Sequence, residues 1–340
     1  MVKRVQYIVI SILILNSVLA LPISGENTIH KTSIETVFYV GGSGPGNYTC
    51  IQDAIDNASD NDTVYVYNGT YYENIEINKS IVVEGEDKNT TIIDGGGKSN
   101  VVDISANEVV VTGFTIQNSG INEFYAGFLI NSINNEIFGN SIINNGKGIV
   151  LLEDAMWNKI KNNFISFNEY GIDLYMGSNY CTIIRNVIKQ NNFSGIFLGS
   201  NYNEIIKNKI LENNQNGINI QNSYNNISFN IISDNVNGIF IVLRGQQNAI
   251  FSNHITRNEY SILTSNFDID RKFCFNYIYC NNFIENENIA YNFFNFRYLL
   301  NFFNNNFENN YWDRPRILPK YIPYFNFDWH PAKEQYDINV

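Results

Sequence analysis

The chain has 340 residues, of which 44% are hydrophobic and only 16% charged, with a formal net charge of -11 at pH 7; this is enough for one large domain or two ordinary ones. The acidic balance leaves no basic footprint for nucleic acid and is repelled by anionic lipid. The 3 His, 3 Met and 4 Cys form no CxxC or HExxH spacing, which argues against a dedicated transition-metal enzyme. The 59 Asn, roughly one residue in six, call for a repetitive explanation.

The first twenty residues read as a secretion signal. Lys3 and Arg4 give a positive start, residues 7–15 an apolar run, and Val18, Leu19 and Ala20 a small-residue end suited to cleavage after Ala20. The alternative is an uncleaved anchor, because residues 5–21 are almost uninterruptedly apolar. Either way the chain is expected to be secreted or held at the cell surface. Eight Asn-x-Ser/Thr sequons, at Asn47, Asn57, Asn61, Asn68, Asn78, Asn89, Asn192 and Asn226, are glycan acceptors in a cell that glycosylates. Cys50, Cys181, Cys274 and Cys280 are too unevenly spaced to specify a disulfide.

Next along the chain, Thr49 and Gln52 make a capping box, and Ile51, Ala54, Ile55 and Ala58 fall on one helical stripe. A short helix over 50–58 is expected to cover the first rung of a strand stack. Short strands are expected at 64–67, 75–77, 81–83, 92–93, 101–104 and 109–116, with a turn at Gly95, Gly96 and Gly97.

A repeat organises the middle. Gly-apolar pairs recur at Gly127, Gly148, Gly171, Gly195, Gly217 and Gly238, with Ser261 next. Inside each unit three Asn follow at intervals of five, first as Asn135, Asn140 and Asn145 and last as Asn248, Asn253 and Asn258. Cys181 and Arg271 stand where the first Asn of their units is expected, and Ile fills fixed offsets between the Asn columns, as in Ile137 and Ile142. Three very short strands with corners fit this pattern. Such strands cannot bury a side chain alone, but rungs stacked about 4.8 Å apart can, with Asn at corners tolerating left-handed backbone and bonding the same amide one rung up. Asn, Ile and Gly are poor helix formers, so helical repeats are disfavoured. A parallel β-helix of about ten rungs and roughly 50 Å is expected over 37–307. An irregular aromatic cap is expected over 308–340, which holds Tyr311, Trp312, Phe327 and Trp329.

Residues 46–55, 64–70 and 81–85 resemble the opening of pectinesterases, pectate-lyase-like proteins and NosD-type β-helix proteins. The Gly-Ile and Asn-x-Ile repeats, with the closing Asn310-Tyr-Trp, resemble the NosD-type group more specifically. That group is labelled a periplasmic copper-binding or a carbohydrate-binding and sugar-hydrolase β-helix, and its surface members are abundant in methanogenic archaea. The resemblance implies an all-β, right-handed, single-stranded parallel β-helix of pectin-lyase-like type. It does not fix an activity, because such repeats occur on enzymes and on non-enzymes.

An enzyme of this architecture should cluster carboxylates or Arg on adjacent rungs. The outward column after each Gly-apolar pair reads Leu129, Val150, Asp173, Phe197, Asn219, Phe240 and Leu263, so Asp173 reads as a lone surface charge. The nearest approach to a pectinesterase signature is Asn135-Glu-Ile-Phe-Gly139, with Asn at the nucleophile position. For copper, His30, His254 and His330 lie far apart, and only Met156 and Met176 share an edge. A different edge carries Trp157, Tyr180, Tyr202 and Tyr224 on four consecutive rungs. These rings are expected to form a flat strip for sugar faces, with Asp154, Arg244, Gln246, Gln247, Asp268 and Asp270 nearby, or else to stack on one another and stiffen a corner. The expectation is therefore an exported, envelope-associated module that binds a polysaccharide or other glycan along the Trp157 edge. A polysaccharide lyase or glycoside hydrolase using Asp154, Asp268, Asp270 and Arg244 is one alternative, and a purely structural surface protein another. No cofactor or metal is expected, with calcium as the alternative.

Overall fold

The computed structural model describes residues 35–242, 245–265, 276–293, 305–313, 320–322, 326–328, 330–338 and 340. Three sheets run the length of this region. The first has 14 strands from Val37–Val40 onward, the second 11 from Gly69–Tyr71 to Tyr311–Trp312, and the third 10 from Ile75–Ile77 to Asn288–Phe293. Each turn of chain adds one strand to each sheet, and all neighbours among the described strands are parallel save the antiparallel pair of Lys320–Ile322 with Asn326–Asp328. The stack is a parallel β-helix.

Register explains the choice of Ile. In the first sheet Ile137 pairs with Ile160, then Ile183, Ile205, Ile227, Ile250 and Ile278. In the second, a column runs from Ile116 to Ile142 and on through Ile165, Ile188, Ile210, Ile232 and Ile255 to Phe283. Every side chain in these two columns is at most 1% exposed, and the columns join one continuous core. Burying each contributes about 1.5–3 kcal/mol. Gly is needed where consecutive rungs approach closely: a Cβ at Gly148 would lie 2.4 Å from the carbonyl oxygen of Gly171.

The corners are held by amide ladders. Asn163 shows the unit: its Oδ1 accepts the backbone N–H and Nδ2 of Asn140 at 3.0 and 3.3 Å, and its own Nδ2 donates to the Ile137 carbonyl at 2.8 Å and to Asn186 Oδ1 at 3.1 Å. A buried amide is thereby satisfied at both ends. This corner continues through Asn208, Asn230, Asn253 and Asn281 to Asn310. Because each amide donates toward the next rung, the last needs an acceptor. Asp328 supplies it, its Oδ2 accepting Asn310 N, Asn310 Nδ2 and Trp312 Nε1 at 2.9, 3.2 and 3.0 Å.

Three sequence expectations are corrected in detail. The left-handed residue at each corner is the one before the Asn, as at Trp157, Arg185 and Gln190 with φ of 55°, 55° and 54°. The Asn side chain is thereby turned inward to its ladder while its neighbour is thrown out. The corner expected at Arg271, which lies outside the described residues, is filled by Asn276: Asn248 bonds Asn276 and Asn258 bonds Asn286, each 28 residues on, so that rung uses Asn276, Asn281 and Asn286. A spacing of five looks the same when displaced by five, which is why the pattern misled. Cys181, by contrast, does interrupt a ladder; its backbone N–H still donates to Asn203 Oδ1, and its thiol donates to the Ala155 carbonyl at 3.2 Å.

The third correction concerns the helix, Ile51–Asn57. Its N-cap is Cys50, with no side-chain capping bond, so Thr49 and Gln52 form no capping box. Glu73 from the next turn of chain takes the role, accepting the N–H groups of Ile51 and Gln52 at 2.9 and 3.0 Å. At the other end Lys79 Nζ donates to the carbonyls of Ile55, Asp56 and Ala58. An anion at the N-terminus and a cation at the C-terminus oppose the helix dipole more effectively than a hydroxyl. Ile51, Ala54 and Ile55 face the first rung and are fully buried.

Two substitutions test the ladders by denaturant unfolding. Asn208→Ala strands the Asn186 N–H and one of the two Nδ2 hydrogens, the other being held by the Ile160 carbonyl, and should destabilise by about 3 kcal/mol, whereas Cys181→Asn restores a missing acceptor and should stabilise by about 1 kcal/mol.

Candidate functional site

Two outer surfaces carry chemistry. The first is the corner between the third and first sheets, where Trp157, Tyr180, Tyr202 and Tyr224 occupy left-handed positions with φ of 55°, 60°, 59° and 61°. That backbone conformation costs a bulky residue roughly 1–2 kcal/mol, yet the other corners place Lys207, Phe229 and Glu212 in it as well. The strain therefore belongs to the architecture and does not mark the aromatics out.

What marks them out is their mutual geometry. Successive centroids are 5.8, 5.2 and 5.0 Å apart and the rings are within 11° of parallel. Because the repeat runs along the axis, the rings pile face to face like the rungs beneath them. The strip is consequently not a pavement of ring faces. It presents ring edges and Tyr hydroxyls sideways, with each residue 45–49% exposed, and offers a ring face only toward its ends. There the corresponding left-handed residues are Asn134 before it and Gln247 after it. Asp154 sits in the same loop as Trp157, exposed and left-handed at φ 68°. Arg244, Asp268 and Asp270 lie outside the described residues, as does His30.

The second surface is the outer face of the third sheet. Here Asp173 is not a lone surface charge. It is 4% exposed, and Lys147 from the preceding rung, itself 7% exposed, donates to its Oδ2 at 2.7 Å. Lys147 also donates to the Tyr175 hydroxyl oxygen at 2.8 Å and lies 4.9 and 5.4 Å from the ring centroids of Tyr175 and Tyr170. Burial pushes the Asp173 carboxyl above its ordinary range despite the ammonium beside it. Burial pulls Lys147 down, but Asp173 and Tyr175 more than offset it, so the ammonium is held in its charged form. Tyr170 stacks on Phe193 at 5.1 Å and meets Phe197 edge-on at 6.3 Å. Sequence reading overlooked this cluster because Lys147 lies just before the Gly column and Asp173 two residues after it, in different columns of successive rungs. Two opposite charges 26 residues apart, close to one period, were the available signal.

The β-helix itself is shared with proteins that the chain resembles. The sequence profile of NosD, described as periplasmic copper-binding protein, matches residues 55–223 and 128–317. The chain belongs to the NosD family. No curated protein sequence matches it. Among solved structures, the A-module of the Azotobacter vinelandii mannuronan C-5 epimerase AlgE4 is similar at a TM-score of 0.60 and 16% identity, over 76% of this chain and 89% of that one. The enzymatically active domain of bacteriophage CBA120 tailspike protein 2 reaches a TM-score of 0.54 at 14% identity, over 82% of this chain and 47% of that one. Pectate lyase Pel9A reaches 0.50 at 14% identity, over 83% and 81%. At these identities the likeness shows the shared β-helix.

The family's description raises copper, and the donors present among the described residues do not fit it. No three His, Cys, Asp or Glu side chains come together there. His254 pairs across its sheet with Ile231 and Asn282, and His330 is exposed in the C-terminal segment. The Cys181 thiol, which would have to ionise to bind a metal, is pushed up to about 12 by burial.

The Lys147–Asp173 pair yields a stability test. Lys147→Met leaves a buried carboxylate without its counter-charge and should cost about 3–5 kcal/mol, whereas Lys147→Met combined with Asp173→Leu should recover most of the loss in urea unfolding.

Proposed function

We propose that this NosD-family protein is an exported β-helix module that binds glycan along the corner of Trp157, Tyr180, Tyr202 and Tyr224. The observation that carries the reading is the unbroken stack of four half-exposed rings on a rigid corner. Mutual stacking fixes the rings at little further cost in side-chain entropy, so a ligand meets a preorganised row. Tyr hydroxyls supply donors and acceptors matched to sugar hydroxyls, and the ring edges supply apolar contact. Asp154 on the adjoining loop adds a charged acceptor beside the Trp157 end. The named activities of the structural neighbours, a mannuronan epimerase and a pectate lyase, support a polysaccharide as the class of ligand. Export is supported by the signal-like residues 1–20 and by the family's description as periplasmic.

A glycan-array screen of the protein from Leu21 onward, beside the Trp157→Ala/Tyr202→Ala variant, tests this reading. Binding that the double variant loses by about tenfold or more while its unfolding transition is retained is the expected result. Absence of binding by the folded wild-type protein sets the reading aside and leaves the stack as a stiffener of its corner.

A further inference from the structure

The outer face of the third sheet holds a row of acceptors that nothing in the protein satisfies. Asp173 Oδ1, Asn219 Oδ1 and Asn237 Oδ1 are all buried without a hydrogen-bond donor. They account for half of the six such atoms among the described residues. Asp173 pairs in register with Phe197, Phe197 with Asn219, and Asn219 with Phe240, so the first two orphans alternate with aromatic rings in one outward column. Asn237 stands one rung beyond Asn219 in the column of Asn216, three residues back along the strand. Its Nδ2 donates to Asn216 Oδ1, and the Asn216 Nδ2 donates to Ser194 Oγ, which orients the Asn237 oxygen away from that chain.

An unpaired buried acceptor forfeits its hydration with nothing in return, and three on one face, spread over about 14 Å of axis, are not expected of a surface that only has to be covered. The charge at this place is balanced: Lys147 neutralises Asp173, so a cation approaching the row meets the ammonium and an anion meets the carboxylate. What the row lacks is donors without charge. Its Tyr175 hydroxyl oxygen already accepts from Lys147, which leaves the hydroxyl proton for an acceptor on a ligand. Tyr170, Phe197 and Phe240 beside the orphans are partly exposed, so access requires only surface rings to turn and leaves the Ile core intact.

We propose that the outer face of the third sheet, from Tyr170 to Asn237, is a second binding track, and that it takes an uncharged polyhydroxylated chain lying along the helix axis. Ligand hydroxyls donate to the three acceptors, and the interleaved rings provide apolar contact for sugar faces. The proposal rests on the reading of the protein as a glycan binder, but it assigns a different face and a ligand class. It is tested by calorimetric titration of the intact protein with cellohexaose and xylohexaose as uncharged probes and hexagalacturonate as the acidic one. The variants are Asn219→Leu, which removes an acceptor without creating a hole, and Trp157→Ala/Tyr202→Ala. The expected result is that an uncharged hexasaccharide binds and that Asn219→Leu weakens it by about tenfold, whether or not the corner carries Trp157→Ala/Tyr202→Ala.

Unchanged affinity in Asn219→Leu, or binding of hexagalacturonate alone, overturns the second track. If only the corner variant loses binding, the track fails and the corner reading stands. If none of the three probes binds the folded wild type, the track fails, and the corner reading passes to the glycan array. Should Asn219→Leu not fold, hydroxyl-radical footprinting of the wild-type protein decides the matter: protection of Phe197 and Phe240 by the bound hexasaccharide supports the track, and protection of Tyr202 without them overturns it.

Discussion

A buried primary amide has two donors and an acceptor to satisfy, and in this protein a backbone carbonyl of the preceding turn and the same amide one rung on share that task. That constraint organises the rest. An Asn at a corner is satisfied most fully when the next turn of chain brings an acceptor to the same place, as Asn186 Oδ1 does for Asn163. The ladders therefore impose register on all three sheets at once, and register is what stacks Ile on Ile. The hydrophobic core supplies most of the driving force, but apolar columns alone tolerate slippage, whereas a displaced amide leaves unpaired groups in a medium of low dielectric.

Direction comes from the same interaction. Along the corner from Asn140 to Asn310 each backbone N–H donates to the Oδ1 one rung toward the C-terminal end, so the ladder is polar, and its ends need different chemistry. At the front, backbone N–H groups of Val109, Phe114 and Ser119 donate to the first acceptors. At the back, Asp328 closes one ladder with a group that only accepts and also anchors the buried Trp312 indole. The C-terminal segment thus belongs to the ladder's chemistry as well as to its covering, and Asp328 is the side chain that joins the two.

The outward consequences are less constrained, and there the surface can specialise. A left-handed corner throws its residue into solvent whatever its identity, which lets Trp and Tyr accumulate at one corner while Gln190, Glu212, Asp234 and Arg257 line another. Along that second corner Arg257 grips Asp234 through two bonds of 2.8 and 2.7 Å, and this holds the carboxyl below its usual range. On the third sheet the outward column instead mixes Asp173, Phe197, Asn219 and Phe240, leaving acceptors unpaired. Rigid interior repetition with free outer positions is what allows one scaffold to carry different sites.

The architecture was legible in the order of residues alone. Period, Asn columns and Ile offsets each demand parallel stacking, because three-residue strands and buried amides have no other way to be satisfied locally. The aromatic corner was legible too, since Trp157, Tyr180, Tyr202 and Tyr224 occupy the same offset in successive repeats. Whatever depends on which residue faces which across rungs had to wait for the folded coil. The slip from Arg271 to Asn276 was hidden because a five-residue period is unchanged by a shift of five. The helix capping by Glu73 and Lys79 was hidden because both partners come from another turn of chain. The aromatic rings turned their faces on one another because stacking direction is set by the helix axis, which no offset in the sequence records. Asp173 looked solitary for the same reason: its partner Lys147 is one rung away and three residues across along the strand, a neighbour in space that only the closed coil brings within 2.7 Å.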